Sequence, residues 1–516
     1  MHMNNFLDQL QDTLTDSDNN RSVTENGAIG YRTTGKSLLD LNFAVSSLRG
    51  KPDAEIEQKF SAACAEDVNT AIVWLFFARD VRGGLGERNL FRVCMRYLAR
   101  EFPHKVSKLL PLISEYGRWD DLMTLIGTKV RNDALALIRQ QLTEDMRNMK
   151  ASKPISLLAK WMPSENASSH ETRMLGAQIR QYLQITPRKY RVMLSALRKY
   201  LNVLERQMSA NQWNEITYSA VPSRANLIYN SAFLRHDEQR RREYLGKLEK
   251  GEEKINASVL FPHDIVHQYM GSRSYWARAC TKDYDAALEA MWKALSNTVE
   301  NGQGTIVVAD GSGSMTSCIG GNTDVTALEV ANALAIYFAE RLQGPYKDRY
   351  ITFSERPQLV NLAGGTTLKS KLDLALRHNE VADTNIEAVF DLILATAVKN
   401  HLSQADIPTN ILIISDMEFN SCAVGTYGRP NQMLFDTIGK KFARYGYKLP
   451  RLVFWNVNSR TGTIPVKEND LGVALISGFS PNVAKMVMSG KLDPFAALMD
   501  TLNGERYAPV RQALAE

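Results

Sequence analysis

Three small oxygen-bearing side chains lie close together in one stretch of the sequence. Asp310, Ser312 and Ser314 alternate with glycine in the segment Asp-Gly-Ser-Gly-Ser. Because glycine permits a tight turn, one carboxylate and two hydroxyls can project from the same loop. Hard oxygen donors of mixed charge suit a hard divalent cation that keeps part of its water shell, above all Mg²⁺. Taken alone, the motif fits an ordinary Ser/Gly turn equally well.

The elements that must position this loop are strands of a parallel sheet. Apolar residues 306–309 run directly into Asp310, and a second apolar run, 411–414, leads to Asp416. Such unbroken apolar runs are typical of strands buried on both faces, and ligands then bind beyond the carboxyl ends of those strands. Between the two runs, Thr384 stands at the start of an amphipathic helix and offers a further hydroxyl.

The order Asp-x-Ser-x-Ser, then Thr, then Asp resembles the metal-ion-dependent adhesion site of a von Willebrand factor A domain. Five parts match in the right order, which makes this resemblance more specific than the first motif alone. It implies that a divalent cation, most simply Mg²⁺, is coordinated directly or through water by Asp310, Ser312, Ser314, Thr384 and Asp416.

Strands and helices alternate from residue 304 to residue 516. The sequence predicts strands at 305–310, 349–353, 410–416, 451–456 and 473–477, with helices between them. This alternation is typical of a doubly wound α/β fold, in which the metal loop would lie at the carboxyl ends of the strands. We therefore expect residues 304–516 to form a von Willebrand factor A-like domain.

The first part of the chain has a different pattern. Residues 1–35 are polar and are expected to form a flexible arm. Apolar residues from 36 to 303 recur at helical spacing, and short helices joined by short turns favour a HEAT-like α-solenoid of helical pairs. The glycine cluster at residues 82–88 invites a phosphate-loop reading. It lacks the Gly-Lys-Ser/Thr ending and a preceding strand, so we predict a turn between helices.

Positive charge is concentrated in residues 151–250, which contain 17 Lys and Arg against 8 Asp and Glu. Such a block can bind nucleic-acid phosphates, or it can be the solvated face of ordinary helices. Within it, a predicted helix at 187–205 carries leucines on one face and basic residues mostly on the other. Trp161 is interpreted as packing between helices rather than stacking on a base. The candidate RNA-binding residues are Lys160, Arg173, Arg180, Arg188, Lys189 and Arg191.

A helical solenoid followed by an A domain resembles the Ro ribonucleoprotein family, whose helical half is the TROVE module. Several strings are closest to uncharacterised Ro-like proteins of bacteria, phages and eukaryotes, among them RDVRGGLGERNLFR (79–92), YGRWDDL (116–122), KWMPS (160–164), VPSRA (221–225) and GEEKINA (251–257). The resemblance covers about residues 27 to 305. It implies a closed ring of helical repeats that binds single-stranded 3′ ends and small structured RNAs, with an A domain that presents its metal site.

Three functions are compatible with these features, and the first is non-catalytic RNA binding of the Ro type. The alternative is a protein-interaction adaptor, in which an open position on the metal captures an acidic residue of a partner and RNA plays no part. The third, a metal-dependent hydrolase, is disfavoured. A phosphatase with Asp310 as nucleophile would carry a second acid two residues later, where this chain has Ser312. We therefore expect no catalytic residues.

The composition and the cysteines indicate in which cellular compartment the protein is expected. Hydrophobic residues make up 44% and charged residues 23% of the 516, as in globular proteins, and we expect neither a membrane span nor a secretory signal. Five cysteines are odd in number and form no metal-ligand spacing, so reduced thiols and a cytoplasmic location are expected. They are Cys64, Cys94, Cys280, Cys318 and Cys422.

Overall fold

The fold was analysed in a computed structural model of the chain. Two compact units divide the chain. The sheet unit comprises Met1–Val68 and Leu260–Asn503, and the helical unit comprises Asn69–Val259 and Gly504–Glu516. The structure describes residues 19–271, 280–299, 304–320, 323–420, 434–465, 474–483 and 493–515.

The helical unit is built from short helices joined by short turns. One of them, Pro187–Tyr200, shows how the sequence forms them. Pro187 occupies the first turn, and the Thr186 hydroxyl accepts a hydrogen bond from the Lys189 amide at 3.2 Å. The described helices assigned to this unit are Val68–Arg79, Arg88–Glu101, Pro103–Tyr116, Trp119–Met123, Arg131–Lys150, Leu158–Trp161, His170–Leu183, Pro187–Tyr200, Leu204–Ser209, Ser223–His236, Glu238–Glu249 and Ala508–Ala515.

The single helix predicted for residues 187–205, with a buried leucine face, is confirmed only for its first part. Tyr190, Leu194 and Leu197 are buried, but the helix ends at Tyr200. Asn202 has a φ of 52°, and this left-handed conformation is one that ends helices. A second short helix therefore carries Leu204, and the chain changes direction where one helix was predicted.

The glycine cluster at residues 82–88 lies between the helices Val68–Arg79 and Arg88–Glu101. The predicted helix–helix turn is therefore confirmed. Gly84 donates its amide to the Asp80 carbonyl at 3.0 Å, and a Cβ atom added to Gly84 would overlap the carbonyl oxygen of Phe77. The glycine is needed for close packing of the turn on the preceding helix, which is a structural role.

The sheet unit contains eight strands among its described residues. They are β1 (Arg21–Val23), β2 (Ile29–Tyr31), β3 (Thr305–Asp310), β4 (Arg349–Phe353), β5 (Gln358–Asn361), β6 (Asn410–Ser415), β7 (Arg451–Asn456) and β8 (Ala474–Ser477). β1 and β2 form a hairpin, and the others form one sheet in the order β5-β4-β3-β6-β7-β8. Five strands are parallel and β5 is antiparallel to β4. The chain is thus rich in helices first and α/β afterwards.

Helices cover this sheet because its central strands are buried throughout. In β3 every residue is buried, and the helix Ala327–Arg341 is buried from Ala327 to Ala339. That helix begins at a capping box, in which Thr326 and Glu329 each bond the backbone amide of the other. The described helices of the unit are Ser37–Ala44, Asp53–Glu66, Pro262–Met270, Ala286–Lys293, Ala327–Arg341, Leu368–Leu376, Glu387–Lys399, Leu434–Arg444 and Pro494–Asn503.

The boundary expected at residues 303 and 304 is not where the two units divide. Residues well before it belong to the sheet unit, since Asn456 donates to the Phe43 carbonyl at 2.9 Å. Glu289 accepts from the amides of Leu368 and Lys369 at 2.7 and 3.0 Å. Residues 504–515, which were expected in the A domain, belong instead to the helical unit. These are contacts between distant parts of the sequence, which local periodicity does not encode.

The segment expected to be a flexible arm is ordered over residues 19–35. Tyr31 of the β1–β2 hairpin exchanges two backbone hydrogen bonds of 2.8 Å with Ile464, and the Thr24 hydroxyl donates to the Phe419 carbonyl at 2.6 Å. The strands have three residues each and a polar composition, so no alternation marked them in the sequence. Residues 1–18 lie outside the described residues.

An edge strand and the state of the cysteines also bear on the sequence-based expectations. The short edge strand β5 was not predicted, because its four residues follow a proline and only Val360 is buried. Cys64, Cys94, Cys280 and Cys318 are free thiols, and Cys422 lies outside the described residues. In the described part of the chain no helix is both long and apolar enough to cross a bilayer.

The first prediction concerns the turn at Gly84. Gly84→Ala should lower the free energy of unfolding of the helical unit by about 2–3 kcal/mol, because the new methyl group would collide with a backbone oxygen. Gly127→Ala is the matched control, since a Cβ there would meet no atom within 4 Å. Denaturant unfolding of both variants measures the difference, and equal stabilities would contradict the packing role.

Candidate functional site

Two aspartates meet at the carboxyl ends of adjacent strands. β3 and β6 pair in parallel, with Ala309 opposite Ile414, so that Asp310 and Asp416 lie at the same edge. Ser415 links the strand ends, since its hydroxyl donates to Asp310 Oδ2 at 2.6 Å. The chain runs from β3 to β4 on one side and returns to β6 on the other. This is a topological switch point, where open α/β sheets bind their ligands.

The loop after β3 folds its hydroxyls onto these carboxylates. The Ser312 amide donates to Asp310 Oδ1 at 2.9 Å, and the hydroxyls of Ser312 and Ser314 lie 3.1 Å apart. The Ser314 hydroxyl also bonds the Asp416 carboxylate. Four of the five expected ligands, Asp310, Ser312, Ser314 and Asp416, therefore form one hydrogen-bonded network.

Thr384 lies on a neighbouring loop that is tied to the first. The Gly313 amide donates to the Ala382 carbonyl at 2.8 Å, which holds the two loops together. Thr384 is buried, and its hydroxyl accepts a hydrogen bond from Asn26 Nδ2 at 3.2 Å. The structure thus places the fifth expected ligand beside the network, with Asn26 as its hydrogen-bond partner.

The electrostatics of the site are those of two buried like charges. Asp310 and Asp416 are at most 1% exposed. Burial, and then the charge of Asp416, raises the pKa of the Asp310 carboxyl well above its usual range. Burial also raises the pKa of Asp416, although Arg460 opposes this shift. A cation held between the two carboxylates would favour the charged form of both and so oppose the effect of burial on both pKa values.

Arg460 is the charged side chain that already reaches this pair. Its Nη1 atom donates to Asp416 Oδ2 at 3.0 Å. Its Nε and Nη2 atoms form a forked pair with both oxygens of Glu25, at 2.8 and 2.6 Å. Glu25 lies in the turn of the β1–β2 hairpin, so the N-terminal segment is anchored directly at the candidate site.

A third buried acid, Glu418, organises the surrounding backbone. Its carboxylate accepts hydrogen bonds from the amides of Glu25, Arg460 and Thr461, at 2.9, 2.8 and 2.9 Å. It is fully buried, and these donors satisfy it. Glu418 therefore holds the hairpin and the loop after β7 together beside Asp416 and is not free to act as a ligand.

Five residues of this region were not anticipated from the sequence. Ser415 and Glu418 flank Asp416, and a polar cluster directly after a buried strand could have indicated them. Arg460 follows the apolar strand β7 in the same way. For Glu25 and Asn26 the sequence carries no signal, because a hairpin from the far end of the chain brings them here. The five residues are Glu25, Asn26, Ser415, Glu418 and Arg460.

The donor set fits a hard cation better than a soft one. It offers two carboxylates and three hydroxyls, which is the chemistry that Mg²⁺ accepts together with water. Among the described residues, His, Cys, Asp and Glu side chains form no group of three or more that could hold a metal ion. A cation here would therefore depend on the hydroxyls of Ser312, Ser314 and Thr384 and on water.

The six candidate RNA-binding residues fall into two groups in the helical unit. Arg173 donates to the carbonyls of Ala167 and Ser168 at 2.9 and 2.7 Å. Arg180 pairs with Glu165 at 2.7 Å, and Lys160 lies 3.5 Å from Glu205. These three side chains hold loops and helices together. Arg188, Lys189 and Arg191 are exposed on the first turns of their helix.

The exposed group adjoins a cleft of about 480 Å³ in the helical unit. Arg191 lines this cleft together with Arg198 and Arg206. Arg198 donates to the carbonyls of Ala159 and Met162 at 2.9 and 2.7 Å, so it anchors the wall. Arg191 has no such partner among the described residues and can turn toward a ligand.

Comparison with known proteins identifies relatives without a described activity. A family model described as a domain of unknown function (DUF2828) matches residues 24–140 and 166–306. A second domain of unknown function (DUF7788) matches residues 304–505. An uncharacterized protein of Acanthamoeba polyphaga mimivirus is 31% identical over 532 aligned residues, which cover 95% of this chain and 89% of the viral protein.

The second prediction concerns the buried charge of Asp310. Its raised pKa means that the carboxyl contributes stability below about pH 4, which is lost as pH rises through the folded-state pKa. In EDTA near neutral pH, Asp310→Asn should therefore be the more stable protein by about 1–3 kcal/mol. Added Mg²⁺ should stabilise the wild type only. Thermal unfolding across pH, with and without Mg²⁺, measures both effects.

Asp383→Asn is the control for that experiment, because Asp383 is exposed on the same loop as Thr384. It removes one carboxylate charge but leaves the repulsion between the buried Asp310 and Asp416 unchanged. Its stability, with and without Mg²⁺, should therefore equal that of the wild type. Equal stabilisation of Asp310→Asn and the wild type by Mg²⁺ would show that Asp310 is not a ligand.

The third prediction concerns Arg460, which competes with a cation for Asp416. Arg460→Gln should tighten Mg²⁺ binding by about tenfold, the equivalent of about 1.4 kcal/mol, because one charge-assisted hydrogen bond is removed from the carboxylate. Isothermal titration measures the affinity. Glu25→Gln is the control, since it leaves the Arg460–Asp416 contact in place. A weaker affinity in Arg460→Gln would mean that the guanidinium positions Asp416 for the metal.

Proposed function

For this chain, which belongs to the family of the DUF2828 domain of unknown function, we propose a non-catalytic RNA-binding function of the Ro ribonucleoprotein type. The helical unit would bind RNA, and the sheet unit would bind Mg²⁺ and through it a partner protein. The family has no described activity, so the proposal rests on the site chemistry and on the resemblance of the sequence to Ro-like proteins.

The observation that carries the RNA proposal is the exposed basic turn beside a cleft. Arg188, Lys189 and Arg191 are exposed within four residues, and Arg191 lines the cleft. Three cations on one helical turn, with no carboxylate paired to them among the described residues, attract a polyanion, and phosphate contacts supply most of the affinity for single-stranded RNA. Small non-coding RNAs or single-stranded 3′ ends are the expected ligands, by resemblance to the Ro family.

For the sheet unit we propose a von Willebrand A-type fold with a metal-ion-dependent adhesion site. The mixed sheet, the two aspartates at its switch point and the serine loop support this assignment. Mg²⁺ would be held by Asp310, Ser312, Ser314, Thr384 and Asp416. When bound, the cation would neutralise the buried carboxylates and leave a coordination position for an acidic side chain of a partner.

The alternative, a protein adaptor that binds no RNA, is favoured by one feature of the same site. An acidic side chain of the chain itself, Glu25, lies one guanidinium away from Asp416. Arg460 thus already binds one carboxylate, that of Glu25, beside the two aspartates. The carboxylate of a partner protein could be bound at the same place. Both readings assign the protein to the cytoplasm, since its thiols form no pattern of disulfides, and neither needs a catalytic residue.

The fourth prediction tests RNA binding. Arg188→Glu combined with Arg191→Glu should weaken binding to single-stranded RNA, and the fold should survive because both side chains are exposed and acidic residues favour a helix N-terminus. Each lost phosphate contact should reduce the log–log slope of affinity against salt by about 0.7. Fluorescence anisotropy with a labelled oligonucleotide at several salt concentrations measures both quantities.

The matched control is Lys59→Glu combined with Lys108→Glu, which changes the net charge equally at two exposed positions elsewhere. It should leave the slope unchanged. Asp310→Ala should also bind RNA as the wild type does, because the metal site serves a different ligand. If the wild type binds no RNA at moderate salt, the adaptor function takes the place of RNA binding.

A further inference from the structure

A cluster of four arginines lies in the helical unit, N-terminal to the basic block of residues 151–250. Asp121 is almost fully buried, at 1% exposure, and its two oxygens accept from Arg79 Nε at 2.8 Å and from Arg92 Nε at 2.6 Å. Asp120 pairs with Arg92 at 2.9 Å and also with Arg88. These contacts engage both oxygens of Asp121 and the Oδ2 atom of Asp120.

Arg118 is the fourth arginine of this cluster, and no carboxylate pairs with it. Its guanidinium lies 5.0 Å from the centre of the Trp161 ring and makes no hydrogen bond to any residue of the described chain. Only its backbone amide bonds Asp121, at 3.0 Å. Burial, and then the positive charges of Arg88 and Arg79, lowers the pKa of this guanidinium, while Asp120 and Asp121 act in the opposite direction.

A cleft of about 430 Å³ adjoins the cluster, which is a volume in the range of small-ligand sites. Arg92 and Trp161 line it together with apolar side chains and the hydroxyl-bearing Thr124 and Thr172. Arg92 is itself engaged, because its Nη2 atom lies 2.9 Å from Asp120 Oδ2 and its Nε atom donates to Asp121 at 2.6 Å. The guanidinium of Arg118, which lies over the Trp161 ring, is therefore the cation that stands beside this cleft without an anion.

We propose that Arg118, beside the cleft lined by Arg92 and Trp161, binds the phosphate group of a nucleotide. Four guanidiniums against two carboxylates leave a formal excess of two positive charges, which matches a phosphate monoester. The planar fork of Arg118 suits two phosphate oxygens, and the cleft takes the rest of the nucleotide. The packing role predicted for Trp161 is thereby extended to a wall of the binding site.

One unpaired oxygen in the cleft bears on which form of phosphate binds. Asp120 Oδ1 is buried without a hydrogen-bond donor among the described residues. A carboxylate oxygen in this position repels a phosphate oxygen but accepts from a ribose hydroxyl or a base amine. This favours a nucleotide over inorganic phosphate, because the nucleotide brings ribose hydroxyls and base amines as donors for Asp120 at a distance from its phosphate group.

The inference rests on the proposed function only for the source of the ligand, which is either a free nucleotide or the 5′-terminal phosphate of an RNA. Isothermal titration of the full chain with AMP, with inorganic phosphate and with an oligonucleotide bearing a 5′-phosphate or a 5′-hydroxyl separates the two. AMP should bind more tightly than inorganic phosphate. Arg118→Gln should weaken AMP binding by about 10- to 100-fold.

Thermal unfolding distinguishes a binding role of Arg118 from a structural one. A partly buried guanidinium without a carboxylate partner costs stability through lost hydration, so Arg118→Gln without ligand should unfold at the same temperature as the wild type or higher. AMP should raise the unfolding temperature of the wild type and not that of the variant. A lower unfolding temperature for ligand-free Arg118→Gln would assign the arginine to the scaffold and overturn the proposal.

The remaining outcomes separate this site from the exposed basic turn. If Arg188→Glu combined with Arg191→Glu loses RNA but keeps AMP, the nucleotide site is independent of the RNA surface. If AMP binds and no RNA does, the proposed function fails and the nucleotide site stands. If the wild type binds neither AMP nor the 5′-phosphorylated oligonucleotide at millimolar concentration, or if Arg118→Gln binds both equally well, the nucleotide site is refuted.

Discussion

Two carboxylates buried at the ends of adjacent strands govern the local architecture of the sheet unit. The parallel pairing of β3 with β6 brings Asp310 and Asp416 to one edge, where both are buried. Like charges in such a place are costly unless other groups compensate them. The serine loop, the Ser415 hydroxyl and Arg460 each donate to one of the two carboxylates, so that much of the local structure serves to stabilise this pair.

The N-terminal β1–β2 hairpin also contributes to stabilising the buried charges of Asp310 and Asp416. Arg460 donates one hydrogen bond to Asp416 and two to Glu25. The Glu418 carboxylate accepts hydrogen bonds from the backbone amides of Glu25 in the hairpin and Arg460 in the loop after β7. A segment distant in sequence is thereby joined to the switch point of the sheet. A change in charge at the aspartates, whether by protonation or by a cation, would therefore be felt by the hairpin through Arg460.

In the helical unit the unbalanced buried charge is positive and not negative. Around Asp120 and Asp121, guanidinium groups outnumber carboxylates, and Arg118 rests on an aromatic ring in place of an anion. In both units the candidate site lies where buried charge of one sign is not balanced by the folded chain. Most buried charges in proteins are paired, and perturbed pKa values gather at functional sites. This common physical feature distinguishes the two sites from the other polar clusters of the described residues.

The sequence by itself determined much about this protein. Apolar runs that end in Asp310 and Asp416 predicted the two strands that lead to these residues, because a strand buried on both faces has few other compositions. Helical periodicity likewise predicted the helix that begins at Pro187, and the missing phosphate-loop ending predicted the turn at Gly84. Only the tertiary structure decided which charges are free, since Arg173 and Arg188 look alike in the sequence and differ in their neighbours. It also decided that Glu25 meets Arg460 and that Arg118 meets Trp161, because such contacts depend on packing between distant segments, which local spacing does not record.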